Sequence, residues 1–267
     1  TGTSVTLRRV SGGTQRSLGV FAQDIIRLTS SVTLTASARI DAWRSYDAHN
    51  LETNYPSGVP TANDNPALAG RRDTAVSPRV AAIYHVTPRV SVWGDIAAGF
   101  RAPTLNELYR GFRVGTITTL ANNQLGPERL VGGEVGVHVV PRRHLTWRAT
   151  WFSNRIKDPV SNATISTAGA NVTQQRQNLG KTRVAGIQTD VEYRLGAAWK
   201  ISGGYVYDRA RVTENPSNTA VIGKFLPQVP RHRGTVQVSF AHPKYANVTV
   251  DVLAIGAQFD DDLNARV

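Results

Sequence analysis

Apolar and polar residues alternate one by one through most of the chain, and this period of two constrains the fold more than any other feature. In HLTWRATW, residues 144–151, the apolar or small residues fall on odd positions and the polar ones on even positions. Residues two apart lie on the same face of a β-strand, so such a segment predicts a strand with one apolar and one polar face. Helical periodicity is almost absent, and the sequence therefore predicts an all-β fold.

The alternation predicts eleven strands. They run over residues 3–10, 17–28, 32–46, 76–86, 89–101, 128–140, 143–157, 182–195, 198–213, 231–242 and 246–259. Most are longer than the about 5–6 residues of an average soluble strand. They match the about 9–11 residues that a tilted strand needs to cross a bilayer, which favours membrane-spanning strands.

The predicted connections alternate between long and short along the chain. They cover residues 11–16, 29–31, 47–75, 87–88, 102–127, 141–142, 158–181, 196–197, 214–230 and 243–245. Outer-membrane barrels have long extracellular loops, short periplasmic turns and strands that alternate apolar outward and polar inward. A soluble β-sandwich, the alternative, has no reason to collect its long loops at one end. We therefore expect an antiparallel up-and-down transmembrane β-barrel.

The odd number of predicted strands indicates a partial barrel, because bacterial single-chain barrels have even numbers. The chain ends in FDDDLNARV, which is typical of the start of an extracellular loop, and at least one more strand is expected to follow. We assign residues 1–267 to one partial barrel domain.

The stretch GFRAPTLNELYRG, residues 99–111, ends a predicted strand in what reads as one helical turn. Thr104 and Glu107 have capping-box spacing, and Pro103 restricts the residue before it to extended conformations. The stretch resembles the F-[RK]-A-P-x-x-x-[ED]-L-[YF] signature of TonB-dependent outer-membrane receptors. The matching residues are Phe100, Arg101, Ala102, Pro103, Glu107, Leu108 and Tyr109.

Three further segments resemble the same family in the expected order. They are LGPERLVGGEVGV at 125–137, NLGKTRVAGIQTDVEYRL at 178–195 and FLPQVPRHRGTVQVSF at 225–240, with Gln188 in place of the usual Glu. The resemblance covers about residues 17–259.

This resemblance implies a fold and a function. Such receptors hold an N-terminal plug inside a barrel of about 22 strands, so the chain is expected to be the C-terminal half of the barrel, without the plug. They lie in the outer membrane of Gram-negative bacteria, among lipid and lipopolysaccharide. They take up scarce nutrients (ferric siderophores, haem or cobalamin) with energy from the inner-membrane TonB complex. The full-length receptor is expected to be a monomer.

The motif residues listed above are interpreted as structural, closing the outer rim of the barrel. Polar residues on the predicted inner face are candidates for contact with the plug or the ligand. They are Asp95, Arg101, Arg148, Gln188, Asp190, Glu192 and Arg194.

The chain has a formal net charge of +12, carried by 31 basic against 19 acidic residues. The basic residues are scattered and form no basic block or helix, which disfavours nucleic acid as a partner. Arginines in the long loops favour contact with anionic lipopolysaccharide or an anionic ligand. They are Arg71, Arg72, Arg110 and Arg113.

No motif of a hydrolase, a zinc protease or a P-loop enzyme is present, so we expect no enzyme activity and no cofactor. There is no Cys, and the six His residues show no metal-ligand spacing. The acidic run 260–262 is interpreted as a solvated loop rather than a calcium site. The alternative functions are a passive porin-like channel, a barrel enzyme of the outer membrane, and a soluble β-sandwich binding module.

Overall fold

The computed structural model describes residues 5–178, 180–216 and 218–267. They form one large antiparallel sheet, one small sheet and a single short α-helix, α1, at Leu105–Tyr109. No helix among them is long and apolar enough to cross a membrane.

The large sheet contains eleven strands. In chain order its long strands pair with their neighbours as β1-β2-β4-β5-β8-β9-β12-β13-β14-β15, and short β3 pairs with β2. The bounds are β1 Leu7–Arg27, β2 Val32–Asn54, β3 Asn65–Leu68, β4 Arg71–Thr87, β5 Val90–Arg101, β8 Glu128–Arg142, β9 Leu145–Lys157, β12 Lys181–Leu195, β13 Trp199–Glu214, β14 His232–His242 and β15 Ala246–Ile255. In the described residues β1 and β15 do not pair with each other, so the sheet is an open part of a barrel.

One predicted connection was wrong. Residues 3 and 4 of the first predicted strand lie outside the described residues. The rest of the predicted strands 3–10 and 17–28 belongs largely to the single strand β1, and residues 11–16 lie within it. The register with β2 shifts between Gly12 and Thr14, as at a β-bulge. In the described residues ten long strands therefore form the wall of the barrel. The odd number of predicted strands, from which a partial barrel was inferred, arose because this bulge was predicted to be a loop. The alternation of long loops and short turns holds for the rest of the chain.

The two faces of the sheet differ as predicted. On β4, Val76, Val80 and Tyr84 are 59%, 58% and 50% exposed, and they share the outer, apolar face. On β2 the residues of the inner face, Asp41 and Ser45, are buried. We call the end that carries the long connections the loop end and the opposite end the turn end.

Two tryptophans lie on the inner face, against the rule that aromatic residues of a barrel face lipid. Trp43 is buried and stacks on Phe100, with 4.9 Å between ring centroids. Trp93 occupies the space over Gly136, where any Cβ would collide with the indole. The inner face therefore accommodates Trp43 by stacking on Phe100 and Trp93 by the absence of a side chain at Gly136. In contrast, Trp147, Trp151 and Trp199 are exposed on the outer face.

Two of the predicted long loops contain strands that form a sheet of their own. The predicted loop 102–127 contains α1, β6 Phe112–Val114 and β7 Ile117–Leu120. The predicted loop 158–181 ends one residue earlier, because β12 begins at Lys181, and it contains β10 Val160–Ala168 and β11 Asn171–Asn178. The four strands form a second sheet in the order β10-β11-β7-β6. Its central pair, β11 and β7, is parallel. This small sheet joins the two loops into one cover at the loop end.

Candidate functional site

The helix α1 begins at the capping box expected from the sequence. The Glu107 backbone N–H donates to Thr104 Oγ1 at 3.2 Å, and the Thr104 N–H donates to Glu107 Oε2 at 2.8 Å. Burial raises the pKa of the Glu107 carboxyl, but the hydrogen bonds from Arg101 and Thr104 outweigh it, so that the pKa lies below its usual value. Glu107 is therefore held ionised at the start of the helix.

Arg101 joins the end of β5 to both loops. Its guanidinium donates to Glu107 Oε2 at 2.9 Å and to Glu128 Oε1 at 2.5 Å. The same Glu128 oxygen accepts the backbone N–H of Val160 at 2.7 Å, where the second loop begins. One cation and two carboxylates thus tie together segments that are far apart in the chain.

An apolar cluster lies beneath α1 at the loop end. Leu108, Tyr109 and Leu125 are 3%, 2% and 1% exposed, and they pack with Ala48 of β2. Arg71 donates to the carbonyl of Leu125 at 2.5 Å and to that of Asn123 at 2.9 Å, which fixes the end of the loop over this cluster. The motif residues Leu108 and Tyr109 are core residues of the cover.

The second loop is fastened to the first by two side chains of β11. Asn178 accepts the Gly126 N–H at 2.9 Å and donates to the carbonyls of Gly126 at 3.2 Å and Asp158 at 2.6 Å. Arg176 donates to the carbonyls of Asn106 at 2.7 Å and Arg110 at 3.0 Å, where α1 ends. Burial lowers the pKa of Arg176.

A cleft of about 570 Å³ opens beside this cover. Its lining comes from α1, β10–β11, residues 226–229 and the acidic run 260–262, with Glu107 and Arg176 on one wall. The Asp261 carboxylate accepts the backbone N–H groups of Leu263, Ala265 and Arg266. Burial raises the pKa of Asp261, but these hydrogen bonds together with the charge of Arg266 lower it by more, so the net shift is downward. Burial raises the pKa of Asp262.

One carboxylate of the acidic run, that of Asp261, thus stabilises the turn that follows it. Among the described residues no group of three or more His, Asp or Glu side chains is arranged to hold a metal ion. The cleft presents charges of both signs, from Glu107 and the acidic run on one hand and Arg176 on the other.

Five of the predicted inner-face candidates lie together and line or border a concave region of about 480 Å³. Arg148, Asp190 and Glu192 line this region, and Gln188 donates to Asp190 at 3.2 Å. Arg194 donates to Glu192 at 3.0 Å, as does Lys200 at 3.2 Å. We call residues 188, 190, 192 and 194 the inner polar row.

The structure separates the other two candidates from this row. Asp95 lies on β5 and accepts Arg79 of β4 at 3.0 Å. Arg101 belongs to the cover described above. Asp95 therefore faces a different part of the inner wall, beside Glu134 and Asn154.

Sequence reasoning missed Arg79 and Arg176. Arg79 shares the inner face of β4 with Ser77 and Ala81, so the alternation carried the signal for it. Arg176 lies in a segment predicted to be a loop, where alternation says nothing about contacts. Two of the arginines predicted in loops, Arg71 and Arg72, instead begin β4, and Arg71 contacts the cover. Arg113 donates to Gly115 O at 3.0 Å and to Asn171 at 3.2 Å.

Comparisons with known proteins give one consistent result. A family model described as "TonB dependent receptor-like, beta-barrel" matches residues 1–266. An uncharacterized TonB-dependent receptor of Haemophilus influenzae is 22% identical over 225 residues, which are 84% of this chain and 58% of that protein. The catecholate siderophore receptor Fiu of Escherichia coli K12 is 23% identical over 241 residues, 85% of this chain and 30% of that protein. The chain thus spans 58% of the first of these relatives and 30% of the second.

Solved structures share the fold. The ferric yersiniabactin uptake receptor FyuA of Yersinia pestis superposes with a TM-score of 0.70 at 18% identity. The match covers 97% of this chain and 37% of that one.

Proposed function

Because the chain belongs to the TonB-dependent receptor β-barrel family, a family of outer-membrane transport receptors rather than of enzymes, we propose that it forms part of a receptor that imports a scarce nutrient complex. The transport is driven by the TonB system through a part of the receptor outside this chain. The family match over residues 1–266 is the observation that carries the proposal.

Ferric siderophores are the favoured substrate class. The E. coli relative is named a catecholate siderophore receptor, and the Y. pestis structure is that of a ferric yersiniabactin receptor. The net charge of +12 suits an anionic ferric complex. Haem and cobalamin are the other classes that the test includes.

We assign different tasks to the two polar regions of the structure. The cover and its cleft of about 570 Å³ lie at the loop end, where a solute first meets the receptor. The inner polar row faces the space that the plug occupies in such receptors, and its exposed charges are suited to contact a polar plug. The motif residues around Arg101 are structural, in keeping with the ion pairs that hold the rim.

The test is a growth assay with the full-length gene. The host strain and its deletion mutant are grown under iron limitation, with one ferric siderophore, haem or cobalamin supplied at a time, and again with the energy-transducing partner inactivated. We expect one siderophore to require both the receptor and the partner. Folding is checked by a gel in which the unboiled barrel migrates differently from the boiled one.

A passive porin-like channel is the alternative to exclude. A channel would pass its solute at a rate that rises linearly with concentration and does not depend on the energy-transducing partner. Uptake with these two properties would contradict the proposal.

A further inference from the structure

The turns between the long strands carry no acidic residue, in contrast to the loop end. In the part of the chain that the structure describes, these turns cover residues 28–31, 88–89, 143–144, 196–198 and 243–245, and none of them contains Asp or Glu. The carboxylates of the cover and of the cleft, such as those of Glu107, Glu128 and Asp261, lie at the loop end. Basic residues at the turn end therefore have few carboxylates with which to pair.

Three arginines of two adjacent turns lie close together. Arg89 is in the turn between β4 and β5, and Arg142 and Arg143 are at the turn between β8 and β9. The Val140 N–H donates to the carbonyl of Arg89 at 2.8 Å, which holds the two turns side by side. We call Arg89, Arg142 and Arg143 the turn cations.

The turn cations are exposed and unpaired. None of the three side chains makes an ion pair or a hydrogen bond with any of the described residues. Glu192, a carboxylate near this end of the strands, is already engaged by Arg194 and Lys200. Neighbouring strands lie only about 4.8 Å apart, so three like charges in adjacent turns repel one another. A bound anion removes this repulsion.

The register places this cluster at the lipid-facing side of the wall. Arg142 is paired with Leu145, and residues paired in an antiparallel ladder share a face of the sheet. Leu145 has the same parity on β9 as Trp147, which is exposed on the outer face. Other apolar side chains exposed on this face next to the turns are Val86, Tyr193 and Leu195. The turn cations therefore border the zone that contacts acyl chains.

The two turns are short enough to stay within the headgroup layer of the bilayer. Only residues 88–89 and 143–144 separate the paired strands, and two residues extend at most about 7 Å. Each polar headgroup layer is about 5–8 Å thick. The guanidinium groups thus lie at the level of lipid phosphates, and arginine binds a phosphate with two parallel hydrogen bonds.

We propose that the turn cations bind the phosphate of an anionic phospholipid in the periplasmic leaflet of the outer membrane, with its acyl chains along the apolar residues next to the turns. An anionic lipid is favoured over a zwitterionic one, because no carboxylate is present in these turns to hold an ammonium group. The proposal uses the family only to direct the short turns to the periplasm, and it does not rest on which nutrient the receptor imports.

The test measures lipid binding to the full-length receptor in a neutral detergent, by titration in native mass spectrometry. The two lipids are palmitoyl-oleoyl phosphatidylglycerol, which is anionic, and phosphatidylcholine with the same acyl chains, which is zwitterionic. The variant R89Q/R142Q/R143Q removes the turn cations. The matched control R8Q/R72Q/R110Q removes three exposed arginines of the loop end and changes the net charge by the same amount.

We expect the variant of the turn cations to bind phosphatidylglycerol about tenfold to a hundredfold more weakly than the unaltered receptor, on the basis of the attraction per basic residue near an anionic lipid surface. The control is expected to bind this lipid within about twofold of the unaltered receptor. Phosphatidylcholine is expected to bind more weakly and equally to all three proteins. Added salt is expected to weaken the binding of phosphatidylglycerol to the unaltered receptor more than to the variant.

The difference in migration between boiled and unboiled protein confirms that each variant is folded. If the triple variant does not fold, the single substitution R143Q, at the tip of its turn, is used instead, and it is expected to weaken binding about fivefold.

Four results would overturn the proposal. The first is unchanged binding of phosphatidylglycerol when the turn cations are removed, which would leave them to another partner, such as an acidic periplasmic protein. The second is equal loss of binding in the variant and the control. The third is equal affinity of the unaltered receptor for the two lipids. The fourth is displacement of the lipid by glycerol phosphate at matched phosphate concentration, since these turns would then take any phosphate.

Discussion

The cover at the loop end and the inner polar row contain the same kinds of residues but use them differently. In the cover, Arg101 joins carboxylates that lie 6 and 27 residues away in the chain. In the inner polar row, Gln188 and Arg194 pair with residues only two positions away on their own strand. Long-range, half-buried pairs determine where segments go, whereas short-range, exposed pairs leave the fold unchanged when they break. The ion pairs of the cover therefore belong to the architecture of the protein, whereas the inner polar row is a surface that is open to a partner.

The largest effect is expected from the apolar cluster of the cover. L108A removes a side chain that is 3% exposed, and the cavity costs about 2–5 kcal/mol of the free energy of local opening. Hydrogen exchange of the amides in α1 and β7 measures this opening in the full-length receptor. L263A, in which the leucine is 47% exposed, is the matched control and is expected to change it by less than about 0.5 kcal/mol. Equal effects of the two substitutions would contradict the assignment of Leu108 to a core.

The second effect concerns the joint between the loops. N178A removes one acceptor and two donated hydrogen bonds, and leaves the Gly126 N–H and the Asp158 carbonyl without their partner. We expect a loss of about 2–3 kcal/mol, measured as faster proteolysis within loop 158–180. The control N162A alters an exposed asparagine of the same loop. If both variants were cleaved at the same rate, Asn178 would have no special role in holding the loops together.

The third effect is a dependence on pH. The pKa of Glu107 is lower in the folded cover than in the unfolded chain, where it is about 4.5. Its contribution to stability is therefore complete above that value and is lost as the pH falls through the lower, folded pKa. Hydrogen exchange of α1, corrected for the intrinsic rate at each pH, is expected to show this loss. E107Q cannot titrate and is expected to give a flatter profile, so an unchanged profile in E107Q would place the titration elsewhere.

The smallest effect on stability is expected in the inner polar row. E192Q breaks the pairs with Arg194 and Lys200, whose side chains are 65% and 43% exposed, and such pairs contribute about 0–1 kcal/mol. The melting temperature of the barrel is expected to stay the same within error. Reduced nutrient uptake at unchanged stability would indicate that the row contacts a partner. A large loss of stability would instead place the row with the cover, and the contrast between the two regions would fail.

The alternation of residues predicted the wall of the barrel well, because a period of two reports directly which face is buried. It failed where a contact with a distant segment decides the local structure. Gly12 and Gly13 read as a turn, but Gly13 lies against the ring of Tyr109 and against Ala48, and β1 continues through a bulge. No residue near Gly13 in the sequence indicates that it packs against the ring of Tyr109, which lies in a loop about a hundred residues later.

The contacts of the candidate site could be predicted from the sequence only where they are local. The capping box of Thr104 and Glu107 could be read from spacing alone, because it is a local interaction. The pairing of Arg101 with Glu128 depends on the register of β5 and β8. The hydrogen bond from Arg176 to α1 depends on the small sheet, which places β11 beside the helix. Short polar strands in loops lack the alternation that reveals a buried face, so this sheet could not be foreseen.

The parallel pairing of Val172–Gln175 with Ile117–Leu120 has a consequence for how such receptors can diversify. Two loops that share a ladder of backbone hydrogen bonds depend on each other for length and register. A loop grafted singly from a relative would meet a partner strand of the wrong length or register. We therefore expect a chimaeric receptor to keep this cover only when both loops are transplanted together.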